Sequence, residues 1–269
     1  MTAPKKKKAM PFDSGLQKGI RAILAEEWPQ IPIGNRQPIQ MPIGEPPLGS
    51  LIAQLEANLR RSNAFRSKQN WRFTTNEKVS QDNDSSEKVV EKAFARSLKQ
   101  TDKWANQVPV CSGYSDGIDN KRAIDLVHDR DQGRFKFIEL KTEHDSQTVA
   151  NATVEILLYG LTYILARKRL DKPSESARRL LTASKIDLVV LAPAGSFYTK
   201  EIADVLRALE CKVDTAVREF SRMQNLGFSM SFSFEVLGEG FDKKKMVYSD
   251  CEVDVMAKGI KPLFCRLTS

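Results

Sequence analysis

A long apolar segment with strand-like segments on both sides restricts this chain to few folds. Residues 148–169 contain TVEILLYGLTYILARKR, which is apolar around much of a helical circumference and predicts a largely buried helix. The hairpin before it ends near Lys141, and SKIDLVVLAPAG at 184–195 is a short run typical of a buried strand. A helix between two such strands predicts a right-handed parallel crossover. We therefore expect an α/β fold with a mixed central sheet.

Other apolar patterns complete an order of helix, three strands, helix and strand, followed by a C-terminal helix and further strands. The elements predicted besides the crossover are a helix capped by Ser85 or Ser86, strands at 108–114 and in both arms of the hairpin RAIDLVHDRDQGRFKFIELKTEHD (122–145), a helix at 200–223, a half-buried strand at 228–236 and a strand pair formed by MVYSD and EVDVMAKG (246–259). This order predicts an αβββαβ core.

The first 84 residues are expected to form an N-terminal extension. The segment 29–50 holds six prolines and three glycines, a composition that excludes regular structure. The predicted organisation is a tail at 1–12, helices at 14–28 and 50–61 with the proline-rich strap between them, and an α/β domain at 85–269 with its core at 85–195.

A basic stretch in the extension carries the aromatic residues Phe65, Trp71 and Phe73. Basic residues mixed with aromatics can hold phosphates and stack bases. The alternative is that the rings anchor the stretch to the core while the charges stay solvated, and we favour this second interpretation.

Composition narrows the class of protein and of partner. The formal net charge is +8 and the pI is about 9.3. This balance favours an anionic partner such as nucleic acid, and the alternative is a protein with a basic surface and no such partner. Four dispersed cysteines and two histidines argue against a structural zinc site or a disulfide framework, so we expect a reducing, cytoplasmic location. The longest apolar run, 156–166, is too short to span a bilayer, so no membrane partner is expected.

The hairpin places charges where a sheet is usually dry. If Asp-Gln-Gly is a three-residue turn, Arg130 pairs with Arg134 and Asp125 lies opposite Glu139. Glu139 and Lys141 share a strand face because side chains alternate with period two. Opposed carboxylates repel, and a divalent cation held by oxygen ligands, Mg²⁺ or Mn²⁺, would reverse that repulsion. The alternative is a simple ion pair between Lys141 and one acid.

The first core helix adds two acids. Its apolar face runs through Val90, Phe94 and Leu98. At about 100° per residue, Glu87 and Glu91 fall beside that face rather than opposite it. A buried carboxylate needs partners, so these glutamates either support a site or extend their ends to solvent at the helix rim.

This combination of residues resembles the PD-(D/E)XK nuclease superfamily, which has the restriction-endonuclease-like fold. The resemblance rests on AIDLV and ELK, with thirteen residues between Asp125 and Glu139, and covers about 85–194. Ile124 stands where the proline of the motif would be. The resemblance implies that Asp125, Glu139 and the Leu140 carbonyl hold Mg²⁺ or Mn²⁺, and that Lys141 positions the attacking water.

Two further matches belong to the same resemblance. Members often carry a glutamate on the first core helix, for which Glu91 is the better candidate and Glu87 the reserve. Several exonuclease branches carry Gln-x-x-x-Tyr on the helix after the lysine strand. Here Glu155 and Tyr159 have that spacing, with glutamate in place of glutamine. Residues four apart share a helix face, so both can point at the hairpin.

The expected function is that of a Mg²⁺-dependent deoxyribonuclease. The alternative is a catalytically silent nuclease-like scaffold that binds nucleic acid or a protein. The residues expected to contact the nucleic-acid backbone, or else to be solvated, are Arg167, Lys168, Arg169, Arg178 and Arg179. The strand at 228–236 is either a homodimer edge or the second layer of the sheet.

Overall fold

A computed structural model defines the fold of the α/β part of the chain. It describes residues 70–76, 85–110, 123–142, 149–169, 173–194, 198, 203–242 and 244–264. The predicted tail, the two N-terminal helices and the proline-rich strap lie outside the described residues.

Five α-helices and six strands make up the described part of the chain. They are α1 (Ser86–Leu98), β1 (Trp104–Pro109), β2 (Ala123–Asp129), β3 (Arg134–Leu140), α2 (Val149–Arg169), α3 (Glu175–Leu181), β4 (Lys185–Ala192), α4 (Ala203–Met223), β5 (Ser229–Val236), α5 (Asp250–Lys258) and β6 (Lys261–Pro262). None of these helices combines the length and the apolar content that crossing a bilayer requires.

The six strands form one open sheet in the order β1-β2-β3-β4-β5-β6. Strands β1, β2 and β3 are an antiparallel meander, β3, β4 and β5 are parallel, and β6 is antiparallel to β5. The predicted mixed sheet is confirmed, and α2 connects the parallel pair β3 and β4 as expected. The carboxyl ends of β3, β4 and β5 therefore lie along one edge of the sheet.

Helices cover the sheet on both faces. Phe135 and Phe137 of β3 belong to the core cluster that includes α2 and α4. Ile138 and Leu140 belong to the cluster on the other face, which includes α1 and α5. Because successive strand residues point to opposite faces, α1 and α2 approach the same hairpin from opposite sides.

The predicted register of the hairpin is confirmed. The Arg130 amide donates to the Arg134 carbonyl at 2.7 Å, and the paired residues run back to Leu126 opposite Ile138. The turn is left-handed throughout, with Gly133 at φ 71° after two non-glycine residues that also have positive φ.

Two element predictions are wrong in their bounds or type. The first strand occupies Trp104–Pro109, so it begins before the predicted 108, and 111–114 lie outside the described residues. The predicted strand pair at 246–259 is replaced by α5, which begins with a capping box in which Ser249 and Glu252 each bond the other's backbone amide. Val253 and Met256 then lie one turn apart and are both buried, so helical spacing overrides the local alternation.

Strand β5 is buried on both faces, which corrects its prediction as half-buried. Ser231 and Ser233, expected to face solvent, are 1% and 4% exposed. The outward edge of the strand is also occupied, because α4 side chains accept its amide protons. These bonds run from Met230 to Ser221 (3.0 Å), from Phe232 to Asp214 (2.8 Å) and from Phe234 to Glu210 (2.6 Å). The predicted second layer is wrong, because β5 pairs with β4 within the one sheet of the described residues, and a homodimer stays a prediction.

Two aromatic residues from the predicted extension reach into the core. Trp71 is 1% exposed and contacts Phe137 and Tyr163, while Phe73 packs edge-on against Phe135. The preference for core anchoring over base stacking is confirmed for Trp71 and Phe73, and Phe65 lies outside the described residues. Residues before 85 thus contribute to the same core.

Candidate functional site

The site lies where the β2–β3 hairpin opens. The paired residues end at Leu126 and Ile138, and the same register carried one step further puts Asp125 opposite Glu139. The next amide due to bond across the hairpin is that of Leu140, since bonded pairs alternate. It donates instead to Asp125 Oδ2 at 3.0 Å. A carboxylate has therefore replaced a backbone acceptor at this point.

The carbonyl of Leu140 faces the same side as its amide, because both groups of one strand residue point toward the same neighbouring strand. The following residue points the other way, and the Lys141 amide donates to the Leu191 carbonyl of β4 at 2.9 Å. The geometry therefore directs the Leu140 carbonyl toward Asp125. This carbonyl and the Asp125 carboxylate are two oxygen groups on one side of the strand end.

The side chain of Lys141 bridges an acid of β3 and an acid of α2. Its Nζ donates to Glu139 Oε1 at 2.6 Å and lies 3.9 Å from Glu155 Oε2. Glu139 and Lys141 are only 3% and 4% exposed. Tyr159, buried one turn after Glu155, donates its hydroxyl to Glu155 Oε1 at 3.4 Å. The predicted pair on α2 thus faces the hairpin through Lys141.

Glu91 approaches from α1 and is 1% exposed. Asn106 Nδ2 donates to its Oε1 at 3.1 Å, and its Oε2 accepts from Lys88 Nζ at 2.5 Å and from Gln107 Nε2 at 3.1 Å. Protein donors therefore satisfy both oxygens of the buried carboxylate.

Lys88 and Gln107 also link Glu91 to Asp125. Asp125 Oδ1 lies 3.7 Å from Lys88 Nζ and 3.5 Å from Gln107 Nε2. Gln107 has φ 47° within β1, a left-handed backbone that non-glycine residues rarely adopt outside functional or tightly constrained sites. The unusual backbone lets its amide side chain reach both acids.

Burial and mutual repulsion raise the pKa of each central acid. Burial is the largest cause for Glu139, whose pKa lies well above its usual range, and the charges of Asp125 and Glu155 add to it. Burial also raises the pKa of Asp125 against the opposing effect of Lys141 and Lys88. The pKa of Glu91 is raised by burial and then by Asp125.

The pKa of Lys141 moves in the direction that keeps it charged. Burial alone would lower it, but Glu139 and Asp125 hold the pKa above its usual range. Lys141 is therefore an ammonium at neutral pH.

Carboxylates outnumber cations at this site. The members that interact electrostatically are Glu87, Glu91, Asp125, Glu139 and Glu155, against Lys88 and Lys141. When all are ionised, the cluster has three more negative than positive charges, although the whole chain has a net charge of +8.

The structure does not bring the predicted nucleic-acid-binding residues to this site. Arg167 lies twelve residues after Glu155 on α2, about 18 Å along the helix axis. Its guanidinium donates to the carbonyls of Ala183 and Leu226, each at 2.8 Å. Arg179 bonds Asp129 and Asp102 and stacks over Phe73, and Lys168 bonds Gln224. Arg169 is the last residue of α2, and Arg178 lies in the next helix, α3. Nucleic-acid binding by all five predicted residues stays a prediction.

Three residues of the site had no place in the predicted set, namely Lys88, Asn106 and Gln107. A sequence signal existed for Lys88, which precedes Glu91 by three positions on α1 and so shares its helix side. No pattern indicates the other two, and Gln107 reaches the acids from a backbone with positive φ.

No group of three or more His, Cys, Asp or Glu side chains in the described part of the chain is arranged to hold a metal ion. The candidate donor set is smaller, with two carboxylates and a carbonyl. Comparison of the chain with models of known families, with curated proteins and with solved structures finds no match.

Proposed function

We propose that this chain is a divalent-metal-dependent nuclease that hydrolyses phosphodiester bonds of DNA. The observation that carries the proposal is the excess of buried and half-buried carboxylates at the mouth of the hairpin. Ionised carboxylates are costly to bury without compensation, and Lys88 and Lys141 compensate only part of this cluster. A divalent cation converts the remaining repulsion into attraction.

The donor chemistry fits a hard cation. Asp125, Glu139 and the Leu140 carbonyl would hold Mg²⁺ or Mn²⁺, which prefer oxygen ligands and commonly take one or two carboxylates together with water and phosphate. Such an ion supplies Lewis-acid polarisation of a phosphoryl oxygen. Orientation of the attacking water and further stabilisation of the phosphate charge are assigned to side chains of the protein.

Lys141 acts as a donor rather than as a base. Its pKa is raised, and Glu139 at 2.6 Å fixes the direction of its ammonium. A donor held in this way can orient an attacking water and stabilise charge on the phosphate oxygens. Glu155 restrains Lys141 from the α2 side, and Tyr159 orients Glu155.

The order of the elements supports the same proposal. Helix α1, strands β1 to β3, helix α2 and strand β4 follow the αβββαβ order that the resemblance to the PD-(D/E)XK superfamily implies. On this assignment Glu91 is a supporting residue that fixes Asp125 through Lys88 and Gln107.

A second candidate is a nuclease-like scaffold that binds nucleic acid or a protein without cutting it. One specific observation favours it, because the two lysines and the two amide side chains already satisfy several oxygens of the acid cluster. A binding scaffold would retain such a network without needing a metal.

The test is a cleavage assay on linear, circular and single-stranded DNA and on RNA, with Mg²⁺ or Mn²⁺ and with EDTA. We expect metal-dependent cleavage of DNA that is lost in Glu139→Gln and in Lys141→Met. Glu175→Gln, an exposed acid at the start of α3, is the matched control and should cleave normally. Cleavage that persists in both site variants would overturn the residue assignment. Absence of cleavage together with DNA binding would favour the scaffold.

A further inference from the structure

Lys88 occupies a position between two acids that come from different elements. Its Nζ lies 2.5 Å from Glu91 Oε2 of α1 and 3.7 Å from Asp125 Oδ1 of β2. Its side chain is 22% exposed, so the ammonium lies at the inner wall of the site rather than in solvent. The resemblance that indicated Asp125 and Glu139 assigned no role to it.

We propose that Lys88 takes the place of a second divalent cation and so limits the site to one ion. The inference rests on the proposed function, since it requires that one ion binds between Asp125 and Glu139. Lys88 is then a positioning residue that determines metal stoichiometry.

Asp125 has a carboxylate neighbour on each side. Glu139 lies across the hairpin, and Glu91 lies on the α1 side. Two-metal phosphodiesterase sites place their ions about 3.5–4 Å apart, typically sharing a carboxylate. A second ion here would need Asp125 and Glu91 as ligands, and that is where the Lys88 ammonium lies.

The donors around Glu91 also leave little for a second ion to bind. Asn106 donates to Glu91 Oε1, and Lys88 and Gln107 both donate to Glu91 Oε2. An octahedral Mg²⁺ needs ligand oxygens at about 2.0–2.1 Å, and Glu91 Oε2 already accepts from two donors, which occupy both of its lone pairs. The cation of Lys88 would also repel a neighbouring divalent ion.

The three-residue spacing on α1 keeps Lys88 in this position. Residues i and i+3 are neighbours on a helix surface, so Lys88 reaches Glu91 without leaving its turn. Unlike a bound water, the ammonium is tethered to the helix and so stays close to the site. Substitution of the side chain opens the Asp125–Glu91 position.

The experiment is isothermal titration calorimetry of the full chain with Mn²⁺, without nucleic acid. The variants are Lys88→Met, Lys88→Gln and, as a control, Lys99→Met in the exposed turn after α1. Only ions whose binding is lost in the matching Asp125→Asn protein are counted. We expect one ion for the unaltered chain and for the control, and two for each Lys88 variant.

The outcomes distinguish failure of the inference from failure of the proposed function. One ion in the unaltered chain and one in a folded Lys88 variant overturns the inference but leaves the proposed function standing. Two ions in the unaltered chain also overturn it, even if both Lys88 variants fail to fold. No ion that depends on Asp125 removes the proposed metal site itself, and with it the basis of the inference.

Discussion

Removing the Lys141 ammonium should destabilise the chain, and a divalent cation should restore much of the loss. Lys141 is the cation shared by Glu139, Asp125 and Glu155, as its pKa shift records. Lys141→Met retains a long side chain but leaves these carboxylates facing one another inside the fold. Breaking a buried ion pair by removing one partner typically costs about 3–5 kcal/mol. For a domain of this size that corresponds to a fall in Tm of about 10 °C.

The free energy of unfolding lost in Lys141→Met should grow as the pH rises. Without Lys141 the pKa values of Glu139 and Asp125, already raised by burial, move further upward. A carboxyl whose folded-state pKa exceeds its unfolded value stabilises the fold at low pH and loses that contribution as the pH rises through the folded pKa. The difference between Lys141→Met and the unaltered chain is therefore expected to be larger at pH 8 than at pH 5.

The assay is urea unfolding at both pH values, in EDTA and in excess Mn²⁺. An ion present at 100 times its Kd adds about 2.7 kcal/mol to the free energy of unfolding. Lys136→Met is the matched control, because Lys136 on the same strand binds both oxygens of Glu235 at 2.6 Å in a buried pair. That control should also lose stability, but Mn²⁺ should not restore it, since one carboxylate is a poor site.

Two results would refute this reasoning. One is a Lys141→Met chain as stable in EDTA at pH 8 as the unaltered chain. The other is equal recovery of Lys141→Met and Lys136→Met in Mn²⁺, which would show that the ion acts elsewhere.

Three further predictions concern the scaffold. Gly133→Ala should lower the free energy of unfolding by about 1–2 kcal/mol in urea titrations, because φ 71° strains any L side chain; no change would contradict the left-handed turn. Asp214→Ala should cost about 1–3 kcal/mol by leaving the Phe232 amide without its acceptor, and calorimetric melting that matches the unaltered chain would count against it. Arg167→Met should lower Tm without weakening DNA affinity in fluorescence anisotropy, because its guanidinium bonds backbone carbonyls; weaker affinity at unchanged Tm would restore its predicted role.

Much of the site could be predicted from short-range pattern. The hairpin register follows from the turn and from the two-residue strand period, which together place Asp125 opposite Glu139. Helical geometry at 100° per residue places Glu91 on the buried side of α1, as observed. These residues lie in regular elements, where spacing along the chain determines direction in space.

The parts that sequence reasoning missed depend on tertiary contacts or on irregular backbone. Gln107 reaches the acids because its φ is positive inside a strand, which no residue pattern indicates. Ser231 is buried and bonds Asp187 of β4, a contact between strands far apart in sequence. The sequence predicts a surface cation at Arg167, whereas its guanidinium donates to two backbone carbonyls.

The C-terminal helix is a different case, because its signal was present in the sequence. Ser249 and Glu252 form the S-x-x-E pattern of a capping box, and the alternation in EVDV concealed it. A start signal placed directly before a short alternating run should therefore outweigh the alternation.

The position of the ion tests the central claim most directly. Crystals of the chain soaked in Mn²⁺ should give one anomalous difference peak at coordinating distance from carboxyl oxygens of both Asp125 and Glu139 and near the Leu140 carbonyl. Lys88 should remain on Glu91. The absence of a peak between Asp125 and Glu139 at saturating Mn²⁺, with Lys141 still bound to Glu139 as in the structure, would contradict the proposed metal site.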